Sequence, residues 1–261
     1  MILTKTVRPE EFHMIFSNAR LRKTLVEACH ILDHNRLVHA YGHVSARAED
    51  GKTVLISPRK GPVLVRSPQE ILHMDLDGNV LRSRAISRKE LGKSSKGLSG
   101  KLQLPLEIFL HTEIYKARPE VNAICRTHGK FALVLSVLKR TLRPVHELAV
   151  PVGPEVPLFD SPALISSLEI GRRMVAALGS ARGLLLRGNG GLTVGVGIED
   201  AVVNAIHMET SAEIQWRALL IGEPAWISGD EYKGEFAKLA KREYEAVLRP
   251  WKYYLNQTRD R

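Results

Sequence analysis

Between residues 19 and 35 the apolar side chains Leu21, Leu25, Ala28 and Ile31 or Leu32 fall on one stripe, the spacing of an amphipathic helix, with Asn35 near its end. Two segments of strand composition follow, HVSARAE from 43 and KTVLISP from 52. Asp50-Gly51 between them is a hairpin signal, so the pair is predicted to be antiparallel. ILHMDLD, ending at Gly78-Asn79 and followed by VLR, reads as another hairpin. From Leu106 to Ala117, the positions Leu106, Leu110, Ile114 and Ala117 recur at helical spacing, and Arg118-Pro119 closes the element.

VNAICRTH, residues 121–128, reads as a strand and GKFALVLSVL as the helix after it. The stretch 143–162 is proline-rich and irregular, with short strands. SLEIGRRMVAALG is a helix ended by Gly179, GLLLRGNGGLTVG two strands joined by a glycine turn, and residues 198–220 a long helix. A final amphipathic helix covers 235–255. Antiparallel hairpins early, with helices on either side, predict a mixed α/β or α+β layer fold.

Composition changes this picture little. A chain of 261 residues with 44% hydrophobic and 25% charged residues buries a large core without staples, and Cys29 and Cys125 alone make no disulfide framework. The longest apolar run, FALVLSVL, is too short to cross a bilayer, and the N-terminus has no secretory pattern, so a cytoplasmic protein without a membrane partner is expected. The formal charge of +10 raises a polyanionic partner, yet much of it is local: residues 82–101 hold seven basic residues against one acidic in a Gly/Ser-rich loop. No nucleic-acid motif accompanies them, and no nucleic-acid partner is expected.

Residues suited to chemistry lie in three separate segments. Glu107 and His111 stand one turn apart on a helix, Arg126 and His128 alternate at a strand end, and Asn189 sits in the turn Gly188-Asn189-Gly190-Gly191. That turn lacks dinucleotide-loop spacing, there is no G-x-S-x-G, and Cys125 falls mid-strand, where a buried inert thiol is the default.

Five pieces carry a resemblance. AYGHVSAR is similar to a Gly-Asn-x-Ser-x-Arg segment, LISPRKG to Thr-Pro-Ser-Gly, LEIFLHTEIYKARPEVNAICRTHG to a Glu, His, Tyr-x-x-Arg-Pro, His-x-His series, LLLRGNGGLTVG to a Leu-x-x-His-Gly turn, and Glu209 to a helix glutamate. Together, from about residue 19 to 221, they resemble the class II aldolase and adducin family, whose zinc-dependent members cleave phosphorylated sugars such as fuculose 1-phosphate. The resemblance implies a three-layer α/β/α fold around a largely antiparallel sheet, and a cyclic homotetramer with active sites at subunit contacts. It also divides the chain into an N-terminal extension (1–18), the family domain (19–222) and a C-terminal helical extension (223–261).

The family's zinc takes three imidazoles, and the matching positions here hold Arg126, His128 and Asn189. A guanidinium has no acceptor lone pair and cannot ligate a cation. Two readings stay open. A mixed site of His128, Glu107 and Asn189 would hold a divalent ion (Mn²⁺, Mg²⁺, Zn²⁺, Fe²⁺ or Co²⁺), with harder Mn²⁺ or Mg²⁺ favoured over Zn²⁺. Alternatively no metal is bound, and Arg126 is the fixed charge that stabilises an enolate or carboxylate. His43, His111 and His207 are further imidazoles able to ligate if the fold gathers them.

The resemblance assigns proton transfer to Glu107, whose pKa burial is expected to lift towards neutrality, with His128 as ligand or electrophile. Gly42, His43, Ser45, Arg59, Lys60 and Asn189 are the expected substrate-binding residues. Because the family's hydroxyl-rich phosphate cradle is largely replaced, Arg59 and Arg126 are expected to grip a carboxylate. The implied function is carbon–carbon cleavage of a small carboxylated substrate, by retro-aldol reaction or decarboxylation. The alternatives are a non-catalytic interaction module like the adducin branch, with the basic loop as its contact surface, and an oxygenase-like branch of the same fold.

Overall fold

The computed structural model describes residues 18–81, 102–235, 237–240 and 244–259. The basic segment 82–101 and residues 1–17 of the N-terminal extension lie outside the described residues.

Helix α1 (Asn18–His34) leads into strands β1 (His43–Arg47), β2 (Val54–Ile56) and β3 (Leu72–Met74). Helix α2 (Ile108–Ala117), strand β4 (Ala123–Thr127) and helix α3 (Lys130–Val137) follow. A short edge strand β5 (Leu158–Phe159), helix α4 (Leu168–Leu178) and strands β6 (Gly183–Leu186) and β7 (Gly190–Gly195) precede the long helix α5 (Ile198–Leu219). Helices α6 (Gly229–Lys233), α7 (Ala237–Ala240) and α8 (Tyr244–Gln257) close the chain. Of the single helix expected over 235–255, α7 and α8 are described, and 241–243 lie outside the described residues.

The seven strands form one sheet in the order β3-β2-β1-β4-β7-β6-β5, and each neighbouring pair except β5–β6 is antiparallel. This is the largely antiparallel sheet that the hairpin signals predict. Alternation along the strands sorts the side chains into two layers. Val44, Ala46, Ala123 and Cys125 face one way, against Leu25, Ala28 and Leu32 of α1 and Val202 and Ile206 of α5. Val247 and Trp251 of α8 join this cluster, so the C-terminal helix is docked on the family domain. Ile56, Met74, Ile124, Leu184 and Leu192 face the other way, against Leu110 and Ile114 of α2 and Met174 and Leu178 of α4.

The same alternation places polar side chains inside the second layer. His43 lies opposite Arg126 in the β1–β4 register, and Ser45 opposite Ile124. The three polar residues therefore point beneath α2, where a packed apolar layer would normally continue.

At the end of the sheet nearest the site, the β6–β7 turn passes so close to β4 that only glycine fits. Gly190 has φ +82°, and a Cβ there would lie 2.5 Å from the Thr127 carbonyl oxygen and 2.8 Å from the His128 Cα. Gly190→Ala is expected to lower stability by about 2 kcal/mol or more, the sum of left-handed strain and a backbone clash, measured by urea unfolding.

Candidate functional site

A cavity of about 420 Å³ opens where β1, β4 and the β6–β7 turn end. Gly42, His43, Glu107, His128 and Asn189 form its polar side, Arg59 and Lys60 its cationic rim, and Tyr41, Pro58, Pro105, Leu106 and Leu164 its apolar wall. The volume suits a small organic molecule. Of the sequence-predicted residues, Gly42, His43, Arg59, Lys60, Glu107, His128 and Asn189 thus converge on one cavity. Arg126 and Ser45 do not line it.

Glu107 is the junction. The helix expected from Leu106 begins at Ile108, which makes Glu107 the residue capping α2. Its Oε2 accepts from Arg126 Nε at 3.0 Å, and its Oε1 accepts from Asn189 Nδ2 at 3.3 Å and from the Ile165 backbone N–H at 3.5 Å. His43 Nε2 stands 3.7 Å from Oε2. Burial pushes the Glu107 carboxyl up, but the neighbouring His43 and the Arg126 guanidinium outweigh it and hold the group well below the usual carboxylate range. This direction is opposite to the lift expected from burial alone.

Arg126 is completely buried. Besides Glu107, its Nη1 donates to the carbonyls of Thr127 and Gly191, while Nη2 has no hydrogen-bond partner among the described residues. The expected direct grip of Arg126 on a substrate carboxylate is therefore corrected. The guanidinium lies behind Glu107 and acts on the cavity through that carboxylate and through its field.

A second buried series runs away from Glu107. Tyr115 Oη and Ser45 Oγ are 2.8 Å apart, Ser45 Oγ and His111 Nδ1 2.7 Å, and His111 Nε2 and His43 Nδ1 2.6 Å. Desolvation lowers the pKa of both histidines, that of His111 well below its ordinary value, so both rings are neutral at pH 7. Burial raises the Tyr115 phenol, which keeps its proton. One arrangement lets every link form beside an ionised Glu107: Tyr115 donates to Ser45, Ser45 to His111, His111 to His43, and His43 presents its Nε2–H towards Glu107. Arg47 holds the far end, with its guanidinium 4.9 Å from the Tyr115 ring centroid and a 2.9 Å bond to the Tyr115 carbonyl. Ser45, expected to bind substrate, is instead an interior link; its hydroxyl is fully buried and spent on His111 and Tyr115.

His128 is fixed from behind. Its backbone N–H donates to Leu37 at 2.7 Å, and Glu209 of α5 accepts from the Phe131 and Ala132 N–H groups at 2.8 and 3.1 Å, capping α3 just after it. Burial and then Arg126 lower its pKa to about 4, against a weaker opposing pull from Glu107. His207 lies on α5 and does not line the cavity.

At the rim, Lys60 is paired with Glu70 at 2.6 Å. The Arg59 guanidinium is exposed and has no ion-pair partner among the described residues. Tyr41 and Leu164 also line the cavity; Tyr41 lies inside the AYGHVSAR segment, whereas the loop bearing Leu164 offers no sequence signal. The residues present do not fit the family's zinc. Arg126 brings a cation to one ligand position, Glu107 has both oxygens engaged, and no group of three His, Cys, Asp or Glu side chains among the described residues is disposed to hold a metal.

Glu107→Gln removes the charge that balances a buried guanidinium, and it is expected to cost about 3–5 kcal/mol at pH 7 by urea unfolding. Since the folded carboxyl titrates below its unfolded value, this contribution is complete above about pH 4.3 and is lost as pH falls towards the folded value. The gap between wild type and variant should therefore narrow in acid. Independently, the His128 imidazole should titrate with a midpoint near 4, two units or so below an ordinary histidine at about 6.5, when followed by NMR.

The fold and sequence have relatives among known proteins. The chain is 27% identical over 217 residues to a 3,4-dihydroxyphthalate decarboxylase of Arthrobacter keyseri, covering 79% of this chain and 82% of that protein. It is 26% identical over 216 residues to the L-fuculose phosphate aldolase of Escherichia coli, covering 81% and 90%. A solved aldolase II superfamily protein from Pseudomonas syringae shares the fold, with a TM-score of 0.75 at 22% identity over 93% of each chain. A model of the class II aldolase and adducin N-terminal domain matches residues 23–216, and the chain belongs to that family.

Proposed function

We propose that this protein is a carbon–carbon lyase acting on a small carboxylated substrate, by decarboxylation or retro-aldol cleavage. The observation that carries this reading is the charge balance of the cavity. Glu107 is matched by Arg126 and Lys60 by Glu70, which leaves Arg59, among the described residues, as the available cation on a rim otherwise walled by Pro58, Pro105, Leu106 and Leu164. A single guanidinium above an apolar wall complements one carboxylate on a flat or apolar body better than a polyhydroxylated phosphate ester. Kinship with a 3,4-dihydroxyphthalate decarboxylase supports the carboxylated branch, and kinship with a fuculose phosphate aldolase supports carbon–carbon cleavage as the shared chemistry.

In decarboxylation the bond to the carboxyl carbon breaks, CO₂ leaves, and the electron pair stays on the substrate carbon until a proton reaches it. In a retro-aldol step a hydroxyl proton is removed, the carbon–carbon bond breaks, and the enolate so formed is protonated. Both need a mobile proton and a positive field over developing negative charge. Arg126 adds a positive field from below that Glu107 partly cancels, and Arg59 adds to it at the rim. The neutral imidazoles of His43 and His128 are the groups placed to move protons at the cavity surface, and Glu107 holds Arg126 and orients the His43 Nε2–H. Asn189 fixes the Glu107 carboxylate and presents its remaining amide hydrogen to the substrate. In the same reading the protein is a cytoplasmic homotetramer with no nucleic-acid or membrane partner.

A panel of hydroxylated aromatic carboxylates and sugar acids, followed by CO₂ and carbonyl release, tests the reading against a parallel panel of sugar phosphates. Turnover of a carboxylate is expected. Arg59→Gln should then raise KM by about 10- to 100-fold, the worth of a charge-assisted hydrogen bond, with kcat changed much less. Turnover confined to sugar phosphates would remove the proposal.

A further inference from the structure

We infer that Arg126 stands in place of the divalent ion as a permanent tethered cation, and that this site binds no metal of its own. The inference concerns the same cavity as the proposed lyase chemistry and takes its functional meaning from that reading, but its test does not depend on turnover.

Geometry carries the argument. The Arg126 Nε–Glu107 Oε2 bond of 3.0 Å occupies one carboxylate oxygen, and Asn189 at 3.3 Å, with the Ile165 N–H, occupies the other. An incoming ion would have to strip Glu107 of Arg126, leaving a fully buried guanidinium without a counter-charge beside a second cation. The remaining imidazoles offer no refuge. Both ring nitrogens of His111 are engaged, by His43 and Ser45, and His43 has given its Nδ1 to His111 while its Nε2 faces Glu107. His128 is left as one imidazole at the cavity surface, and one imidazole does not make a tight site.

The electrostatic sum is also complete without a metal. Glu107 is the cavity's carboxylate and Arg126 its counter-charge, so the interior is near neutral before Arg59 is added at the rim. A divalent ion would make the cavity strongly positive, with no free anionic ligand lining it among the described residues. In a metal-dependent relative the ion enters and leaves with conditions; here the positive charge is part of the chain and persists at every working pH.

The test uses the full chain, dialysed against a chelator, with Zn²⁺ content read by elemental analysis and Co²⁺ titrated by visible absorption. Wild type is expected to retain no stoichiometric metal and to show no ligand-field bands. Arg126→His with Asn189→His completes three imidazoles with His128 and should tighten Co²⁺ and Zn²⁺ binding by about 100-fold or more, with tetrahedral bands. Asn189→His alone keeps the Arg126–Glu107 pair intact and should gain none of this, which keeps the inference testable if the double variant fails to fold. Three results would overturn it: an equivalent of metal in wild type that His128→Ala abolishes, tight binding by Asn189→His with Arg126 present, or a folded double variant with unchanged affinity. Failure of the carboxylate panel with metal-free wild type would end the lyase reading and leave this inference standing.

Discussion

A guanidinium with no exposed surface is a severe constraint on a fold, because its charge must be met by a carboxylate and its five N–H groups by acceptors, all in the dry interior. Arg126 meets the charge demand through Glu107 and part of the donor demand through the carbonyls of Thr127 and Gly191, while its Nη2 is left without a hydrogen-bond partner among the described residues. These partners come from the start of α2, from β4 itself and from β7, so one side chain ties a helix and two central strands together. Charge burial of this kind adds little net stability against an apolar substitute, yet removing either partner is costly. The pair is therefore a constraint on which arrangement the chain adopts more than a source of folding energy.

Strand register converts the constraint into a site. With His43 directly across from Arg126, the second layer of the sheet receives two polar groups side by side, and the layer is kept intact only because α2 supplies His111 and Tyr115 one turn apart to absorb Ser45 and His43. Each hydrogen bond in that series has a defined donor once Tyr115 is protonated and Glu107 ionised. Polar order in the interior thus fixes which nitrogen of His43 carries the proton, a property that neither the ring's position nor its burial determines alone.

Much of this architecture is legible in the sequence, for physical reasons that differ by element. Period-two alternation in HVSARAE and the Asp50-Gly51 turn specify the β1–β2 hairpin locally, and the stripe of α1 specifies its buried face. The convergence of Glu107, His128 and Asn189 is legible only through resemblance, since no local pattern ties residues separated by a whole strand and helix. What stays hidden is the depth of each group. Ser45 and Arg126 occupy positions that contact substrate-site chemistry in the motif, but whether a side chain ends at the cavity or beneath it depends on the layer packed above. The sign of the Glu107 shift was hidden for the same reason: burial and Arg126 act in opposition, and only the 3.0 Å geometry decides between them.

Replacing a metal ion by a guanidinium changes what chemistry the site can support. A metal is a Lewis acid that bonds directly to a substrate oxygen, so it can stabilise a localised alkoxide or enolate. Arg126 has no route to such a bond, being screened from the cavity by Glu107, and it contributes a long-range field that a neighbouring carboxylate partly cancels. Stabilisation at the point of bond cleavage then falls to neutral N–H donors on His43, His128 and Asn189, which are weaker than a divalent ion. Within the proposed function this favours substrates that spread their developing charge over a conjugated system, and it disfavours those that concentrate it on one oxygen. An aromatic or otherwise delocalised carboxylate fits that limit and the apolar wall together, whereas a sugar-derived enolate fits neither.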